Sequence, residues 1–296
     1  MSMLGIPVRY PKIDYNDFPK KWARNLPFCH DRNSQGVIPS PVEPWLIKIF
    51  QNILPTIPES ERELREGVEA FIGQEAQHYR QHRQFIKRLV ELGYTDLPRF
   101  EAELASELNE ILETKSLKFI LAYADGFEAL GAVGAQIWFD ESDEYIGGLD
   151  NAPIRMWKWH MAEEFEHREV CHDLFRYLYC RNFFTKITNG YFYRLKGLKF
   201  AMTHLGGFGV KMCRYMRRVD TAKMDDDQKA EFYREMGVFK EFNKRVFLKA
   251  LRPNLLPWYN PGRKKAPKGM AEYADRFSDG GEWSSRQIKS LAPAGG

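Results

Sequence analysis

Two short segments restrict what this chain can fold into more than anything else in it. Gln74-Glu75-Ala76-Gln77-His78 and Trp159-His160-Met161-Ala162-Glu163-Glu164-Phe165-Glu166-His167 set ionisable side chains into the apolar faces of segments with helical period. At about 100° per residue, His160, Glu164 and His167 fall within about 60° of one another, so their nitrogen and oxygen atoms converge. Glu75 and His78 share a face in the same way, and His82 extends that stripe by one turn. One Glu-x-x-His pair is a common accident, and Glu169-x-x-His172 is such an extra match. Two pairs on separate amphipathic helices, joined by one Glu from each of two others, make a di-metal carboxylate bundle.

The partner glutamates follow by exclusion. Leu117, Leu121, Ala124, Ala132, Ala135 and Phe139 form an apolar face with Glu128 at its centre. A carboxylate there is costly to bury unless paired or bound to metal. Its neighbours Gly126, Ala129, Gly131 and Ala132 leave room for a substrate or allow close helix packing. On the preceding helix only Glu43 is available, and it admits two readings: a ligand, or the acid of a capping box Ser40-Pro41-Val42-Glu43. Glu43, Glu75, Glu128 and Glu164 together would neutralise two divalent ions. Mixed nitrogen and oxygen donors suit iron or manganese, and a cluster without cysteine argues against structural zinc. Glu163 and His82 are expected behind the ligands, Glu166 in solvent or behind them, and Cys171, Tyr79 and Tyr123 in the core.

Every long amphipathic segment has helical period and none alternates like a strand, which predicts an all-α fold. Residues 1–39 read as an irregular arm, 40–260 as the di-metal helical domain, and 261–296 as an extended or partly disordered tail. Helices are expected from Ser40, over Glu59–Leu92, over a polar connection to Glu113, over Ser116–Phe139, and from Pro153 to Tyr179. A last one is expected over Asp225–Leu251. Gly190–Arg218 carries seven Lys or Arg and no acid, and reads as broken at Gly206-Gly207. It is expected to close the bundle over the site, its basic side facing water or the acidic loop Asp140–Glu144; the competing reading is peripheral contact with a membrane.

A net charge of +4 without a basic-aromatic motif gives no ground for nucleic acid as a partner. The first residues lack the apolar stretch of a signal peptide, no segment approaches a membrane span, and the four cysteines lie far apart. A reducing cytoplasm is the expected compartment.

Phe71 to His78, with His82, resembles the signature of a bacterial family labelled predicted metal-dependent hydrolases. Trp159 to His167 matches it as well, as does Leu251-Arg252-Pro253 followed by Pro257-Trp258, so the likeness covers roughly residues 38–260. Where that family carries Gly-Glu, this chain has Val42-Glu43-Pro44. The resemblance implies a ferritin-like four-helix bundle with additional C-terminal helices. The ligand pattern is also similar to that of p-aminobenzoate N-oxygenase-type di-iron enzymes, in which an extra His precedes the last Glu-x-x-His; His160 fills that position. The implied ligands are Glu43, Glu75, His78, Glu128, His160, Glu164 and His167. The implied activity is that of a non-haem di-iron, O2-dependent oxidoreductase that hydroxylates, N-oxygenates or desaturates a small organic substrate, aromatic ones included. It would draw electrons from a ferredoxin or flavoprotein reductase, and a homodimer is compatible with it. The alternatives are a di-metal hydrolase with Glu163 or His82 as proton carrier, and a non-catalytic iron-binding or oxygen-sensing protein.

Overall fold

The computed structural model describes residues 5–277, which are helical throughout, with no strand among them. In chain order the helices are α1 (Leu26–Gln35), α2 (Pro39–Ile53), α3 (Arg62–Glu91), α4 (Leu97–Thr114), α5 (Leu117–Asp140) and α6 (Asp143–Ile146). They continue as α7 (Ala152–Glu166), α8 (Val170–Tyr179), α9 (Phe183–Ile187), α10 (Arg194–Thr221), α11 (Asp226–Leu251) and α12 (Met270–Asp275). None of them is long and apolar enough to cross a membrane. Several starts follow local chemistry. The side chains of Ser116 and Asn151 accept from the third residue of α5 and α7, and Asp225 and Gln228 form a capping box on α11.

Four expectations change on contact with the fold. The arm expected to be irregular contains α1, capped by Asn25; four of its seven buried residues are polar, so no apolar period betrays it. The capping box at Ser40 does not form. Helix α2 begins at Pro39, Ser40 Oγ donates to Glu101, and Glu43 is buried without a hydrogen bond. The helix expected to run from Pro153 to Tyr179 stops at His167 and resumes at Val170. There the Arg168 guanidinium takes the Phe165 carbonyl and also donates to that of Pro261 at 2.9 Å, replacing helical bonds.

The fourth change concerns α10, which runs unbroken through Gly206 and Gly207. Each glycine costs a helix interior about 1 kcal/mol, and packing along α5 outweighs that. The two helices meet where a Cβ on Gly197 would lie 2.0 Å from the Ala122 carbonyl oxygen, and one on Gly126 2.8 Å from the Leu198 Cα. Helix α10 thus lies against the bundle as a closing element. The acidic loop takes Lys249 of α11 onto Glu141 at 2.6 Å, with no ion pair to α10 among the described residues. Of the stretch expected to be a tail, α12 packs on α7; residues 278–296 lie outside the described residues.

Candidate metal centre

Four helices converge on one buried cluster. Helix α2 brings Glu43, α3 Glu75 and His78, α5 Glu128, and α7 His160 and Glu164, with His167 as its closing residue. Each of the seven is at most 2% exposed. Glu75, Glu128, Glu164 and His167 offer donor atoms within 4.8 Å of one another. So do His78, His160 and Glu164, likewise Glu43, Glu75 and His78, and likewise Glu43, His82 and His160. Glu43, Glu75, His78, His160 and Glu164 each belong to two groups, so the groups form one connected cluster.

The histidines are oriented from behind. His167 Nδ1–H donates to Gln74 Oε1 at 2.8 Å, which leaves Nε2 facing Glu128 at 3.0 Å and Glu75 at 3.4 Å. His78 Nε2–H donates to Glu163 Oε2 at 3.1 Å, and its Nδ1 faces Glu75 at 3.6 Å and Glu164 at 3.7 Å. His82 Nδ1–H donates to the Gly36 carbonyl at 2.7 Å, so in the neutral ring Nε2 accepts from His160 Nδ1–H at 2.9 Å. The remaining lone pair of His160 then points at Glu164 Oε1, 2.9 Å away. A lone pair facing a carboxylate that closely needs a cation or a proton between them. Outward N–H donation with an inward lone pair is how metal-binding histidines are held.

The ionisation of the group shows how strongly its acids and bases act on one another, with protons held where cations would otherwise stand. Burial and the neighbouring Glu75 push the Glu43 carboxyl well above its ordinary range, and burial and Glu164 push that of Glu128 to about 8. Burial would raise Glu164 too, but the adjacent His160 and His167 imidazoles hold it well below. Burial opposes charge on His78, yet Glu163 and Glu75 bring it to about 10, and Glu128 raises His167 against the same penalty. Burial keeps His82 well below its ordinary value and lowers His160, which fits their neutral pairing.

Whether the residues fit metal ions is tested by what the protein leaves unsatisfied. Both carboxylate oxygens of Glu43, Glu75 and Glu128, Oε2 of Glu164, Nδ1 of His78 and Nε2 of His167 are buried without a hydrogen-bond partner. Native interiors leave few such atoms, and nine of the buried atoms without a partner among the described residues belong to this one cluster. The donors are nitrogen and oxygen only, as harder or borderline divalent ions prefer. Cys171 is a core thiol raised well above its usual range by burial, and Tyr123 is buried as expected, but Tyr79 lies on the outer side of α3 and is exposed rather than in the core. His30, His172 and His204, read from sequence as ordinary, face Asp220, Asp125 and Glu107 away from the cluster.

Two residues behind the ligands escaped sequence reasoning. Arg9 donates to Glu163 at 3.1 Å and to both oxygens of Glu166 at 2.7 and 2.8 Å, which fixes the acid that holds His78. Nothing in the polar N-terminal arm marks Arg9. Gln74 fixes His167, and its place beside Glu75 was the available signal.

A cavity of about 410 Å³ reaches the centre, and of the seven only His160 and Glu164 line it. Gly131 lies on its wall, and a Cβ there would sit 1.8 Å from Glu164 Oε2, so that carboxylate needs the glycine.

Fold and site together define an all-helical protein with a buried carboxylate–histidine cluster of metal-binding type. The chain belongs to the family described as predicted metal-dependent hydrolase, whose model matches residues 7–264. No curated protein and no solved structure matches the chain. Nothing in these comparisons ties it to ferritin-like proteins or to N-oxygenases.

Proposed function

We propose that this protein is a metal-dependent hydrolase whose centre is formed by Glu43, Glu75, His78, Glu128, His160, Glu164 and His167. The observation that carries the reading is the convergence of buried, unpartnered donor atoms from four helices, and the family description agrees with it. When bound, a pair of divalent ions supplies Lewis acidity that acidifies water and polarises an ester or amide carbonyl. The chain's own residues do the rest. His160 and Glu164 present the reacting edge to the cavity, and the apolar walls hold the substrate and exclude bulk water. Glu163 is engaged by Arg9 and His78, and His82 by Gly36 and His160; neither lines the cavity. Both are therefore positioning residues rather than the proton carriers expected from sequence. Glu164 is the carboxylate placed to pass a proton between cavity and centre.

A second reading is a ferritin-like di-iron, O2-dependent oxidoreductase. It is favoured by one observation, the donor set itself: four carboxylates and three imidazoles from four bundle helices, the pattern of di-iron carboxylate proteins. Metal-reconstituted protein assayed on a panel of p-nitrophenyl esters and in an oxygen electrode separates the two. Ester hydrolysis lost on chelation and restored by metal is expected. Iron-dependent oxygen uptake without hydrolysis would move the assignment to the second reading, and metal binding with neither activity to a non-catalytic role.

A further inference from the structure

We propose that the centre acts on an amphiphile, a linear apolar chain carrying an anionic head group, which enters between α1, α10 and α11. The inference rests on the metal-centre reading and deepens it by naming the substrate class. The inner cavity is walled by side chains such as Phe127, Leu130, Val133, Trp138, Met161 and Phe247 and ends at His160 and Glu164. Its volume of about 410 Å³ is in the range of ligand sites, roughly 300–1,000 Å³. An outer cavity of about 500 Å³ adjoins it, and the two share Gln35, Ile38, Leu205, Gly206, Asn243 and Phe247.

The outer cavity changes character. Its charged lining is Arg214, Arg217, Lys240 and Lys244 against Asp31, with His30 turned to Asp220. Asp31 is paired with Arg32 at 3.0 Å, whereas none of the four cations has a carboxylate partner among the described residues. The passage is thus apolar at the centre and cationic at the mouth, the complement of a hydrocarbon chain with a negative end. Gly206 stands at the junction, and a Cβ added there meets no atom within 4 Å. Gly206, one of the two glycines that make α10 look broken in sequence, is the place where the helix leaves the passage open.

Carboxylate and phosphate heads share this chemistry, and the test separates them. The purified full-length protein is titrated calorimetrically, below micelle concentrations, with dodecanoate, dodecyl phosphate, dodecanol and dodecyltrimethylammonium, and its metal content is measured on the same preparation. Both anions are expected to bind at least tenfold more tightly than the alcohol or the cation, the tighter anion naming the head. Each methylene added to the preferred anion should tighten binding about fourfold. Lys240→Glu with Lys244→Glu should weaken the anions at least tenfold and leave dodecanol unchanged. Gly206→Trp should abolish binding of all four with the helical circular dichroism retained. Equal affinity for the four probes, or full binding by a folded Gly206→Trp protein, overturns the inference. Metal retained without chain binding defeats this inference alone; chain binding without metal defeats the reading of the centre alone.

Discussion

Asp220 and Glu128 are both buried carboxylates, yet their surroundings differ in kind. Asp220 accepts from Tyr94 at 2.7 Å, faces His30 Nε2 at 2.7 Å, and pairs with Lys20 through its other oxygen. Burial alone would raise its pKa, but hydrogen bonds from His30, Lys20 and Tyr94 hold it below the ordinary value. Glu128 has no hydrogen-bonded oxygen, and burial beside Glu164 pushes it to about 8. Both sites carry a desolvation penalty, the heavier one at the fully buried Glu128. At Asp220 the protein answers it with its own donors, and the cluster ties the N-terminal arm to α10. At Glu128 the nearest cationic group is the His167 imidazole, 3.0 Å away, and both oxygens stay without a hydrogen bond. Burial therefore does not mark a functional carboxylate; burial without a partner does.

The sharpest way to break this comparison is to remove one carboxylate from each region. Glu164→Ala and His78→Ala are expected to lose metal and activity altogether with the helices intact. Asp220→Ala is expected to cost about 3–5 kcal/mol in urea unfolding, as breaking a buried ion pair does, and to keep its metal. If elemental analysis found metal lost as completely from Asp220→Ala as from Glu164→Ala, the two regions would not be different in kind.

Gly131→Ala tests the centre without touching a donor. Its Cβ would fall 1.8 Å from Glu164 Oε2, so the carboxylate must swing away. A loss of metal affinity toward the upper end of the roughly 10–100-fold seen for supporting residues is expected. Arg9→Ala and Gln74→Ala should weaken metal binding within that same range, measured by competition with a chelating dye. Glu166→Ala, which removes one of the two acids that Arg9 holds, should change it least.

An effect of comparable size is expected on pH dependence. Metal must displace the proton of Glu128, whose folded pKa without metal is about 8. Its contribution to affinity is therefore complete above pH 8 and falls about tenfold for each unit below it. His78, raised to about 10, and His167, raised as well, must also release protons and steepen the slope, whereas Asp220, held below its ordinary value, adds none. Metal affinity equal at pH 6 and pH 8 would contradict the reading of Glu128 as a donor.

Much of the centre was legible because helical geometry is. The spacings of Glu75 and His78, and of His160, Glu164 and His167, put them on single faces, and α3 and α7 keep those faces. The break after His167 comes too late to disturb the phase. Glu128 was legible as a charge in an apolar face. Glu43 was only half legible, since Ser40-Pro41-Val42-Glu43 fits a cap as well as a ligand, and what decides between them is the tertiary contact of Ser40 with Glu101. Arg9 and α1 were hidden for a related reason. They are held by long-range hydrogen bonds, such as Arg9 to Glu163 and Trp22 to Asn33, which leave no local period. Glycine propensity misled at Gly206-Gly207, where packing on α5 decides the matter.

The central claim is that the unpartnered donors are completed by a pair of ions. Its most direct test is the metal stoichiometry of the purified protein after anaerobic reconstitution, by elemental analysis against amino-acid quantitation, for wild type and Glu164→Ala side by side. About two divalent ions per wild-type chain and none in the variant are expected. One tightly held zinc with no second site, or equal metal in both proteins, would contradict the account.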